Sequence, residues 1–84
     1  MIKDKAMAAK VSELMIEFSR RLNDSIILIR DHCNKEEFQE YRKDVAYVMG
    51  EMLIRVMNPL YIQNPELKPD GLYIPGLEET NGQQ

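Results

Sequence analysis

His32 and Cys33 are the one place in the chain where a base stands beside a thiol nucleophile. Successive residues on a helix point about 100° apart, so neighbours in sequence do not face each other as a nucleophile and its base must. A metal centre there would need Asp31 or Glu36 to converge with them, helped by a second subunit. The plainer reading is a partly exposed histidine at a turn beside a packed cysteine. Carboxylates also recur one helical turn apart, as Glu13 with Glu17, Glu36 with Glu40, and Glu40 with Asp44. Di-metal carboxylate bundles use that spacing but add a Glu-x-x-His motif, which this chain lacks, so these acids read as solvated helix faces. No catalytic residue, metal ligand or cofactor is assigned.

The arginines offer more. A guanidinium is a fixed charge that can grip a carboxylate or phosphate with two parallel hydrogen bonds. Arg30, Arg42 and Arg55, with Tyr41 and Tyr47 as lining, are the candidate anion-binding residues, with Arg42 and Arg55 placed to reach a bundle interior. Ion pairs between helices are the competing reading for the same side chains.

The elements that would hold these residues follow from composition and spacing. The chain has 84 residues, enough for one domain, and all four prolines and three of four glycines lie after position 57. Residues 1–57 form one unit and 58–84 a differently built tail. Basic and acidic residues balance in the first unit, so the net charge of −3 resides in the tail. Neither nucleic acid nor an anionic membrane has an electrostatic reason to bind. With a single cysteine no internal disulfide can form, and no export signal or spanning run is evident, so a reducing cytoplasm is the expected setting.

Met7, Val11, Leu14, Met15, Phe18, Leu22, Ile26 and Ile29 recur at helical spacing, which predicts a first helix from about Asp4 to His32. Asn23-Asp24-Ser25 followed by four apolar residues could instead be a turn into a short strand, but no other segment would pair with it. Asn34 and Glu37 have capping-box spacing and start a second helix, with Phe38, Tyr41, Val45, Val48, Met49, Met52, Leu53 and Val56 on it. Proline disfavours helical geometry at the residue before it, which predicts an end near Met57 or Asn58. Gly50, mid-helix, reads as a point of close helix approach.

Beyond position 57, prolines at 59, 65, 69 and 75 predict an extended segment, with turns at Pro69-Asp70-Gly71 and Ile74-Pro75-Gly76. Residues 78–84 have no apolar anchors and are expected to be disordered. The fold class is therefore all-α: an antiparallel two-helix hairpin with an extended, proline-containing tail.

Two helices bury only the stripe where they meet, and this chain carries more apolar surface than one stripe. A homodimer forming a four-helix bundle covers the excess, with Ile26, Ile29, Val45, Met49, Met52, Leu53 and Val56 at the interface. The competing arrangement folds the tail back over its own hairpin through Leu60, Tyr61, Ile62, Leu67, Leu72, Tyr73 and Ile74. The functional expectation is a non-catalytic helical protein that binds itself and another protein, as a regulator, adaptor or chaperone. The alternative is a small anionic-ligand site or enzyme at the dimer cleft.

Overall fold

The computed structural model describes residues 1–72. Helix α1 spans Lys5–His32 without interruption, so Asn23-Asp24-Ser25 is helical and the strand reading is discarded. Asp4 caps it by accepting from the Met7 N–H at 3.0 Å. At about 1.5 Å per residue, α1 is roughly 40 Å long. Cys33 and Asn34 then take extended backbone, and helix α2 runs over Lys35–Met52. The expected capping box is present. The Asn34 side chain accepts from the Glu37 N–H at 2.8 Å, and the Glu37 carboxylate accepts from the Asn34 N–H at 3.3 Å. Glu36 and Glu37 also put negative charge in the first turn, where the helix dipole favours it.

The helical path does not end at Asn58. It widens into a π-helical turn over Leu53–Met57 and resumes as α3, Asn58–Gln63, with Pro59 inside it. A short 3₁₀ turn, Pro65–Leu67, follows. The expectation of an extended chain from position 58 is corrected accordingly. Val45, Met49, Leu53, Met57 and Tyr61 recur every four residues, and in an ideal α-helix such a row drifts by about 40° per step, off the face that meets α1. The wide turn, in which the Asn58 N–H donates to the Leu53 carbonyl, absorbs the drift. It also lies where a proline ring would crowd the carbonyl of Arg55, four residues back, which is how Asn58 keeps helical backbone before Pro59.

The best-buried part of the molecule lies at the open end of the hairpin. Ala8, Met57, Leu60 and Tyr61 form its centre, with Ile2, Val11, Met15, Leu53, Leu67 and Leu72 packed around it. Ser12 and Tyr61 share a hydrogen bond of 2.7 Å inside this core. Asn64, fully buried, donates to the Leu60 carbonyl at 3.2 Å and accepts from Lys5 Nζ at 3.3 Å. The Met1 ammonium donates to Gln63 at 2.7 Å, and Lys5 pairs with Glu66 at 2.9 Å, so both ends of the described chain are stitched together. The Glu66 carboxyl is held below its ordinary range, chiefly by the Lys5 hydrogen bond.

Past α3 the chain returns over its own hairpin, with Leu60, Tyr61, Leu67 and Leu72 serving as anchors while Ile62 points to solvent. The Pro69 to Leu72 turn forms as expected, with Gly71 at φ +84°, a conformation that favours glycine. The second expected turn, the anchors Tyr73 and Ile74, and the segment 78–84 lie outside the described residues. Among the described residues no helix is long and apolar enough to cross a membrane.

Candidate functional site

Burial is distributed very unevenly along the hairpin. Six of the seven buried residues among those described, Ala8, Ser12, Met57, Leu60, Tyr61 and Asn64, belong to the open end; the seventh is Val45. Between Ser19 and Met49 no other side chain is buried, although this stretch holds the whole tip of the hairpin. Its two broad faces differ. On one, Ser19, Met49, Gly50, Leu53 and Met57 border a nearly apolar recess of about 300 Å³ whose remaining wall is Leu72, from the returning segment. A Cβ built on Gly50 would meet nothing within 4 Å among the described residues, so the expected close helix approach at this glycine does not occur between them.

The opposite face is open. Here Phe18, Arg21, Leu22 and Ser25 of α1 and Tyr41 and Met52 of α2 line a shallow groove of about 430 Å³. Helical spacing extends it: Leu14 precedes Phe18 by one turn, and Val48 precedes Met52 by one turn. Leu14 (50% exposed), Phe18 (44%), Leu28 (58%) and Val48 (51%) leave about half of their surface in water. The groove floor is held by hydroxyls. Ser25 Oγ donates to the Leu22 carbonyl at 2.6 Å, and having given up its one proton it accepts from the Tyr41 hydroxyl at 2.8 Å.

One rim of the groove carries Glu17, Arg20, Arg21 and Asp24, which with Ser25 and Leu28 border an adjoining polar hollow. Arg20 lies 2.7 Å from Glu17 and 3.6 Å from Asp24, while Arg21 approaches Glu17 only at 3.9 Å. The Arg20 hydrogen bond lowers the Glu17 carboxyl below its ordinary range, and the same bond raises Arg20. Arg20, Arg21 and Asp24 are largely in solvent and Glu17 partly so, and these pairs order the rim without adding much stability.

The candidate anion-binding residues are not gathered in one place. Tyr41 lines the groove. Arg30 pairs with its neighbour Asp31 at 3.0 Å, Arg42 lies 5.7 Å from the centre of the Phe38 ring, and Arg55 pairs with Glu51 one turn earlier. Tyr47 is 67% exposed. The arginine ion pairs are thus between near neighbours on one helix, which corrects the expectation of pairs between helices. Neither Arg42 nor Arg55 enters the interior; both are exposed.

At the hairpin tip, His32 Nδ1 lies 2.9 Å from the Leu28 carbonyl, and Cys33 is exposed, where a packed cysteine was expected. Cys33 takes extended backbone as the chain leaves α1, and its N–H donates to the Ile29 carbonyl. Among the described residues no group of three or more His, Cys, Asp or Glu side chains is placed to hold a metal ion.

Of the residues expected at a dimer interface, Val45 is already buried in the hairpin and Leu53 packs on the core. Met49 walls the recess covered by Leu72, and Ile26, Ile29 and Val56 are half-buried. Met52 stands on the open groove. Arg21 and Ser25 are groove residues that stand outside the apolar stripe of α1. Their signal is a second heptad row on α1, Met7, Val11, Leu14, Phe18, Arg21, Ser25 and Leu28, beside the row Ala8, Ser12, Met15, Ser19, Leu22, Ile26 and Ile29 that is nowhere exposed.

No protein-family model matches the chain, and no curated protein or solved structure is significantly similar to it.

Proposed function

We propose that this chain is a small non-catalytic helical protein that acts by protein–protein interaction, as a regulator, adaptor or chaperone, and that it works as a homodimer of hairpins. The observation that carries the reading is the tip of the hairpin, where a single side chain, Val45, is buried between Ser19 and Met49. Two helices joined by a tight turn hold together through the apolar area they remove from water, at about 25 cal/mol per Å². With one buried side chain the tip gains little on its own, and a second apolar surface over the groove supplies what is missing.

The groove's chemistry supports binding rather than catalysis: apolar walls, hydroxyls that satisfy each other, and no convergent acid, base or nucleophile. A cytoplasmic setting suits the exposed Cys33, which a reducing compartment keeps as a thiol. The alternative, an anion site built on Arg30, Arg42 and Arg55, draws no support from their separate engagements.

Sedimentation velocity on the full chain tests the reading. A species of twice the 9.8 kDa chain mass at micromolar concentration is expected. A monomer that unfolds cooperatively and binds no hydrophobic dye would overturn it.

A further inference from the structure

We propose that the second copy seats on the open groove through a two-fold axis, with the two α1 rims meeting each other. This rests on the homodimer reading above and adds the face and the recognition chemistry. Three observations converge on it.

The first is area. Leu14, Phe18, Leu28 and Val48, each exposing about half of its surface, offer roughly 400 Å² of apolar area, against the ~800 Å² per side of a standard stable interface. The half-buried groove walls Leu22, Tyr41 and Met52 and the long Arg21 side chain add to it. The largest contiguous apolar patch on a typical monomer is about 300–600 Å² and is often functional.

The second is pattern. The row at 7, 11, 14, 18, 21, 25 and 28 alternates steps of four and three, the spacing that seats knobs into the holes of a facing helix. It is offset from the row that meets α2 and stands open at Leu14, Phe18, Arg21 and Leu28, whereas Val11 already packs on the core and Ser25 already bonds Tyr41. A long straight helix of matching repeat satisfies such a row, and another copy of α1 is one.

The third is charge. The rim carries two acids and two bases, Glu17, Arg20, Arg21 and Asp24, with no net charge. A two-fold axis sets a patch against itself, so a patch of one sign would repel its own copy. This one is self-complementary, and Arg21, whose nearest acid among the described residues is 3.9 Å away, is the base with most to gain from an acid across the axis. An acidic or basic partner of another kind would be matched by a rim of one sign, which this is not. The opposite face is already partly closed by Leu72, which leaves the groove side for the second copy.

A charge-swap experiment on the full chain tests the proposal. Arg21→Glu makes the rim acidic and the double variant Glu17→Arg/Asp24→Arg makes it basic; Arg21 and Asp24 are exposed, Glu17 is half-buried, and far-UV circular dichroism verifies that both proteins fold. Each variant alone should dimerise about tenfold or more weaker than the parent at low salt, with the loss shrinking as salt screens the rim. An equimolar mixture should recover parental association as a heterodimer. Phe18→Asp should weaken dimerisation whatever the salt, and Ile54→Asp, 63% exposed and outside the groove, should leave it unchanged. A parent chain that is monomeric would overturn both this proposal and the homodimer reading. A parent dimer indifferent to Phe18→Asp and to both charge variants, or one dissolved by Ile54→Asp, would overturn the groove as its interface and leave the homodimer standing.

Discussion

Ser12 and Tyr61 meet at 2.7 Å across the core, Ser12 at 4% and Tyr61 at 0% exposure. Replacing Ser12 by alanine strands the Tyr61 hydroxyl without water or a partner, a loss of about 1–3 kcal/mol. Alanine returns roughly 0.5 kcal/mol through its better helix propensity, so a net destabilisation of about 0.5–2.5 kcal/mol is expected. Tyr61→Phe should cost less, about 0.5–1.5 kcal/mol, because a helical serine can turn its hydroxyl to the carbonyl four residues back, here Ala8. The double variant strands neither group and should fall well short of the two losses combined. The assay is urea unfolding of all four proteins at one fixed protomer concentration, since association would otherwise shift apparent stability. A coupling of about 1 kcal/mol or more is expected, and additivity within ~0.3 kcal/mol would refute the claim that the two hydroxyls satisfy each other.

Gly50→Ala should stabilise the chain by about 0.5–1 kcal/mol in the same assay, since a Cβ there meets nothing among the described residues and helical glycine is costly in backbone entropy; destabilisation would mean that another surface packs on Gly50. Asn34→Ala should cost about 1 kcal/mol and speed amide exchange in the first turn of α2, because it removes the cap that satisfies the Glu37 N–H. Glu66 titrates lower in the folded chain than in the unfolded one, so its contribution is present above the unfolded carboxylate range and is lost as pH falls through the folded value. Glu66→Gln should therefore flatten the pH dependence of stability below roughly pH 5, and an unchanged slope would count against the Lys5 pair.

The two long helices were legible because their signals are local: apolar residues three and four apart, Asn34 and Glu37 at capping distance. The course of the chain after Met57 was not. Pro59 reads as a stop when only neighbouring residues are weighed, and the π turn that lets the helix pass is stabilised by Tyr61 reaching Ser12, 49 positions earlier. Gly50 misled for a related reason, because a gap left by a missing Cβ says nothing about what fills it. The arginines were legible as charges but not in their pairing, which falls to flexible side chains on exposed turns. The groove was half visible: Leu14, Phe18 and Leu22 stood in the apolar stripe of α1, but dividing that stripe into a more buried row and a more open one needed the position of α2.

The stitching of Met1 to Gln63 and Ser12 to Tyr61 bears on how the chain comes into being. Bringing together groups some 50 residues apart costs about 1.4 kcal/mol more in closure entropy than a ten-residue loop. The hairpin closes early and locally, while the core waits for the most distant contacts. On a ribosome, that core cannot exist until Asn64 has left the exit tunnel, and until then the nascent hairpin shows water both of its apolar faces.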